Sequence, residues 1–285
     1  MKDGRRVPAV GMRRAAGQRR RFGAIGERVG VTTVPETPLL QPPSGRAPDV
    51  HVLSPAKLIL AALAIPIVSR AVSIAVMVSA VAWLDGGPTG DPLAQLAAGG
   101  SDAATEAVEQ AGGLAFYATL LLLTLAVTKA GRSHLAWLPW PKDRTFLPFL
   151  AMMLVWLAIE GLLIEPRFPE LAELARLPQS QPAMFLSLII IVVVAPVTEE
   201  LFFRGFLFTN VRAYWGFPLT IVMTSLYYAA LHLGTSIIPP LLMFPYGLIT
   251  GLVRERYGSV KPAIYLHVIW NLIAWGSGYF WPDAS

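Results

Sequence analysis

The sequence predicts an all-α fold: a polytopic transmembrane helix bundle of about seven spans, with its N-terminus in the cytoplasm. Three observations carry this expectation. First, 54% of the 285 residues are hydrophobic and 14% are charged, whereas soluble domains carry about 25% charged residues. Second, apolar stretches approaching the roughly 20 residues that a bilayer requires recur near 58–84, 112–128, 146–164, 183–203, 217–236, 238–253 and 262–281. Third, the charges between them alternate in sign. The 85–110 connection holds Asp85, Asp91, Asp102, Glu106 and Glu109 without a Lys or Arg, and the next holds Lys129, Arg132, Lys142 and Arg144 against Asp143. Arg204 and Arg212 follow the fourth stretch, and Arg254, Arg256 and Lys261 follow the sixth. Positive connections stay in the cytoplasm, which places the N-terminus inside and the C-terminus outside.

Residues 1–54 precede the first span. They hold ten basic residues against four acids, an excess of six where the whole chain has five. The tail is Arg-rich and Pro-rich, with too little apolar content to fold, and it lacks the apolar core of a signal peptide. It reads as a disordered cytoplasmic tail lying against anionic lipid headgroups, not as a nucleic-acid-binding element. Met12 is an alternative start that would shorten it. Residues 55–182 supply the first three spans and their loops. Arg70 and Glu160 fall inside those spans, where they are expected to pair across the bundle or to let Glu160 reach the outer face with Glu165. Trp83, Trp137, Trp140, Trp215 and Trp281 sit near span ends as interfacial anchors. The chain has no Cys, which excludes disulfides, thiolate metal sites and a Cys nucleophile.

The chemistry concentrates in residues 183–281. Glu199 and Glu200 stand side by side at the end of an apolar run, with Arg204 one turn on. A charge near the bilayer centre costs roughly 3 kcal/mol or more, so an acidic pair there demands a use. The later apolar segments contain Tyr228-Ala-Ala-Leu-His232 and His267-Val-Ile-Trp-Asn271. These groups meet only if the fourth helix continues past Arg204 to about Tyr214. The chain then turns at Trp215-Gly216, and Glu199 and His232 each lie about 24 Å from that turn at 1.5 Å per residue. His267 lies about 13 Å above the Gly258 turn, and Asn271 is one turn further on the same face.

Glu200 and Arg204 are i,i+4 and are expected to form a structural ion pair. Glu199 points about 100° away and is expected to face the histidines. Two chemistries fit. In one, Glu199, His232 and His267 hold a metal such as Zn²⁺ with water in the open position. In the other, Glu199 and His232 activate water directly, while His267 and Asn271 stabilise the oxyanion. There is no H-E-x-x-H and no G-x-S-x-G, so neither the common zinc-protease nor the serine-hydrolase signature is present.

At Glu199-Glu200-x-x-x-Arg204, Tyr228-x-x-x-His232 and His267-x-x-x-Asn271 the chain resembles the CAAX protease and bacteriocin-processing (CPBP, or Abi) family of intramembrane endopeptidases. Its best-known branch is the Ras-converting CAAX endopeptidase. The resemblance covers about 183–281 and implies a catalytic four-helix core. It implies that Glu199 is the water-activating base with His232 as partner, that His267 and Asn271 bind the oxyanion or help hold an ion, and that Glu200 and Arg204 support the site. Tyr228 departs from the family's usual Phe and adds a hydroxyl.

The expected substrate is a membrane-associated peptide or protein arriving through the lipid bilayer, with no nucleic-acid partner. The Arg-, Ala-, Gly- and Pro-rich composition points to a multi-pass protein of a bacterial plasma membrane. Two other classes compete: a non-catalytic peptide-binding protein of the bacteriocin-immunity type, and an ion-coupled transporter. The transporter is disfavoured because no inverted repeat is evident.

Overall fold

Inside lipid every backbone N–H and C=O must be satisfied within the protein, so spans are helical or form closed barrels. The computed structural model describes residues 52–84, 102–129, 135–139, 144–168, 171, 177–234 and 236–280. Every regular element among them is helical. Residues 1–51 of the basic tail, with Met12, together with Asp85, Asp91, Arg132, Trp140, Lys142, Asp143 and Trp281, lie outside the described residues. By internal contacts the chain divides into Met1–Glu36 and Thr37–Ser285, and all described residues belong to the second unit.

The described helices are α1 (Pro55–Leu84), α2 (Ala103–Val127), α3 (Leu147–Arg167), α4 (Gln181–Arg212), α5 (Phe217–Ala230), α6 (Ile238–Tyr257) and α7 (Lys261–Phe280). They follow the seven apolar stretches of the sequence. The first four are long and apolar enough to cross a membrane, and α5 is a shorter apolar helix. α2 begins nine residues before the predicted start at 112. Its first turns are polar and escape hydropathy, but Asp102 caps them, accepting the Ala104 and Thr105 amides at 3.0 Å each. The Thr105 hydroxyl and these amides hold the Asp102 carboxyl below its usual range. One turn on, buried Glu106 accepts the backbone N–H groups of Gln179 and Ser180, just before α4. A carboxylate there satisfies amides and complements the positive end of the helix.

Half of the most apolar stretch of α4 is buried, against 11–22% in α1–α3, so α4 is the central helix. It runs through the acidic pair to Arg212, close to the expected Tyr214, and Gly216 caps α5 after a short turn. Two wide π-helical segments, Ile190–Val194 and Leu201–Leu207, flank the acidic pair. Such turns shift the ladder from i+4 to i+5, releasing carbonyls from regular pairing, and are frequent at functional sites. Here other helices supply donors. Asn271 Nδ2 donates to the Ile191 carbonyl at 2.7 Å, and Arg254 Nε donates to the Arg204 carbonyl at 3.0 Å.

α5 and α6 pack closely through Gly247 and Gly251, one turn apart. A Cβ at Gly247 would stand 2.9 Å from Ser225 Cβ, and one at Gly251 would stand 2.8 Å from Ile221 Cγ1. Small residues spaced in this way let membrane helices approach backbone to backbone. Gly258 ends α6 at φ 62°, the left-handed conformation that glycine adopts most easily at a helix terminus. The expected Arg70–Glu160 pair is not formed. Arg70 lies over the Phe116 ring at 5.0 Å, and Glu160 is buried in a wide turn of α3 with Oε1 unpartnered. Arg70, an exposed residue, meets an aromatic face on the neighbouring helix α2 in place of an acid.

Candidate active site

Glu200 and Arg204 lie behind the site. Both are almost fully buried, at 0% and 2% exposure, with Arg204 Nε 3.3 Å from Glu200 Oε2. The i,i+4 spacing places them together, as expected. Arg204 also donates to the Gly247 carbonyl at 3.2 Å and lies 4.6 Å from the centre of the Tyr228 ring. Its position therefore depends on α5 and α6. Deep burial of two charges is tolerated only when each is paired and hydrogen-bonded.

The structure corrects one expected contact. His267 Nδ1 lies 3.0 Å from Glu200 Oε1, so it is Glu200 that takes this histidine and not Glu199. α7 packs against the segment of α4 containing Glu200, and Tyr246 sets the ring edge-on at 5.1 Å between centroids. Glu200 thus serves as an orienting carboxylate as well as an ion-pair partner.

Glu199, half-buried, has no cation within ion-pair distance among the described residues. Its Oε1 accepts the Tyr117 hydroxyl of α2 at 3.2 Å. His232 stands just beyond the end of α5, in the turn after Leu231. Its Nδ1 lies 2.8 Å from the Tyr228 carbonyl. A carbonyl only accepts, so Nδ1 carries a hydrogen, and in the neutral ring Nε2 is the acceptor. The Tyr228 ring packs 4.6 Å from the imidazole.

Glu199, His232, His267 and Asn271 line one cavity of about 180 Å³, together with Tyr117 and Tyr246. Four residues singled out in sequence therefore share a chamber, with Glu200 and Arg204 supporting it. Glu199, His232 and His267, the ligand set expected for Zn²⁺, all line this cavity. Among the described residues no three His, Asp or Glu side chains come together closely enough to hold a metal ion. The carboxylate beside His267 is already shared with Arg204, and Tyr117 occupies an oxygen of Glu199.

Sequence reasoning missed Tyr117 and Tyr246. Both sit in apolar helices outside any motif spacing. The available signal was chemical: a phenol in a membrane helix carries a hydroxyl that needs a partner.

Residues 181–273 match the family model described as type II CAAX prenyl endopeptidase Rce1-like. No curated protein and no solved structure matches the chain. The matched segment runs from the first residue of α4 to two residues past Asn271, and α1–α3 with Tyr117 stand outside it. It contains Glu199, Glu200, Arg204, His232, His267 and Asn271, and over these residues the chain is similar to the type II CAAX prenyl endopeptidase family.

Proposed function

We propose that the protein is an intramembrane endopeptidase that hydrolyses a peptide bond of a membrane-associated peptide or protein, with water activated by Glu199 and His232. One observation carries this reading. Glu199 is the member of the acidic pair not committed to Arg204, and it opens onto the cavity shared by His232, His267 and Asn271.

In this reading a water sits between the Glu199 carboxylate and the Nε2 lone pair of His232. Glu199 takes one proton as the water oxygen attacks the scissile carbonyl carbon, and the carbonyl electron pair moves onto its oxygen. His232 accepts a hydrogen bond from the remaining O–H and holds the nucleophile in line. When the tetrahedral intermediate collapses, the C–N bond breaks and the amine leaves with the proton from Glu199. Tyr117 positions the base through Oε1, and Glu200 positions His267. Chamber walls built from packed helices keep lipid from the reacting groups. With Glu200 committed to Arg204 and His267, the donor set suits direct carboxylate catalysis, and no step is routed through a metal.

The test compares wild type with Glu199→Gln in detergent against a fluorogenic membrane-peptide library, with and without chelator. Wild type alone should cleave, and the chelator should leave its rate unchanged. Equal cleavage by both proteins would remove Glu199 as the base. Equal peptide binding with cleavage by neither would replace the enzyme with a binding protein of the immunity type.

A further inference from the structure

Tyr246 lies on α6, one residue after Pro245, at a position that none of the three motifs includes. It is 1% exposed, and its hydroxyl is a buried polar atom with no hydrogen-bond partner. The ring is wedged against His267 at 5.1 Å, Trp270 at 4.9 Å and Tyr228 at 5.8 Å between centroids. The residue also lines the cavity with Glu199, His267 and Asn271. A phenol held rigidly with its O–H unspent is a poor core residue, since phenylalanine would fill the same space without stranding a donor.

The neighbouring donors are largely committed. Asn271 gives an amide hydrogen to the Ile191 carbonyl, which leaves it one. His267 directs Nδ1 at Glu200, so its Nε2 donates only when the ring is an imidazolium. Tyr117 spends its hydroxyl on Glu199. The group that stabilises a tetrahedral oxyanion must be a preorganised donor whose bond need not be taken from elsewhere, and Tyr246 has that character.

Resting on the endopeptidase reading, we propose that Tyr246 is a further catalytic residue whose hydroxyl donates a hydrogen bond to the oxyanion of the tetrahedral intermediate, beside the remaining N–H of Asn271. As water attacks, the carbonyl oxygen gains the electron pair, and the Tyr246 O–H shortens onto it without transferring its proton. The proton from water goes to Glu199 and later to the leaving amine, so Tyr246 begins and ends the cycle as a neutral phenol.

Tyr246→Phe removes only the oxygen. On the fluorogenic peptide that wild type cleaves best, this variant should lower kcat about 10²-fold, the scale for removing one oxyanion donor, with KM within about twofold because ground-state binding is untouched. A phosphinate analogue of the same peptide, with a tetrahedral centre at the mapped scissile bond, should lose inhibition by a similar factor. An analogue with a reduced, uncleavable amide should bind both proteins equally, and thermal melting in detergent should be unshifted. Wild-type cleavage with unchanged kcat and phosphinate inhibition in Tyr246→Phe would overturn this inference and leave the endopeptidase reading standing. Loss of reduced-amide binding together with activity would make Tyr246 a packing residue and overturn it also. Absence of cleavage by wild type itself would remove the endopeptidase reading and this inference together.

Discussion

Helices α1–α3 turn apolar side chains outward, whereas α4–α7 gather polar ones inward. Leu60 and Ile67 of α1 are 68% and 65% exposed, while Glu200, Phe202 and Phe206 of α4 are 0% exposed. The first group can present hydrocarbon to lipid at no cost, because lipid tails are as apolar as leucine. The second group must satisfy its buried charges internally. It does so by reaching between helices: Arg204 to Gly247, Arg254 to the Arg204 carbonyl, His267 to Glu200 and Asn271 to Ile191. The family match covers the second group. Yet α2 of the first group places Tyr117 on Glu199, so the division of labour is not complete. The outer helices contribute one hydroxyl to the lining of the cavity.

The sharpest break in this comparison comes from the core. Glu199→Gln keeps size and loses the base, so turnover should fall by about 10³-fold or more while the thermal melt in detergent stays put. Arg204→Leu should act on stability instead. It takes the cation from the fully buried Glu200 and one of two side-chain donors from the Gly247 carbonyl, at a cost of about 3–5 kcal/mol, read as a lowered melting temperature and poor recovery from membranes. Preserved stability would mean that Glu200 is served by His267 alone.

Gly247→Ala tests how tightly the core is built. The new methyl would meet Ser225 and force α5 from α6, with an expected loss of about 1–3 kcal/mol. A comparable change among outer-helix residues that face lipid should cost far less, and equal costs would erase the contrast. The smallest effect addresses the link between the two groups. Tyr117→Phe should reduce kcat about tenfold, in keeping with one hydrogen bond to a carboxylate, with the melt unchanged. Unaltered kcat would confine the catalytic machinery to α4–α7.

Much of this was legible from sequence because helices and charged motifs leave local signals. The apolar stretches placed seven helices. The antiparallel count about Trp215-Gly216 predicted that α4 must outrun Arg204 for Glu199 and His232 to share a level. The i,i+4 spacing predicted the Glu200–Arg204 pair. The start of α2 was misplaced because Asp102, Thr105 and Glu106 are polar for reasons of capping, which hydropathy does not register. Glu200 rather than Glu199 receiving His267 was invisible, since adjacent carboxylates differ only in the faces that other helices offer them. Tyr117 and Tyr246 were invisible for a related reason: an aromatic residue in an apolar helix looks the same whether it meets lipid, core or a cavity.

By itself the sequence determined which segments are helices, which residues carry titratable chemistry and which neighbours along one helix can pair. Those properties follow from hydrophobicity, 3.6-residue periodicity and the cost of charge in lipid, all of which are local. The tertiary structure decided which carboxylate is committed to Arg204 and His267 and which faces the cavity. It also decided which wide-turn carbonyls receive side chains from other helices, and which phenols stand beside the reacting groups. Those outcomes depend on how helices distant in sequence rotate and approach one another, as Gly247 and Gly251 let α6 do against α5.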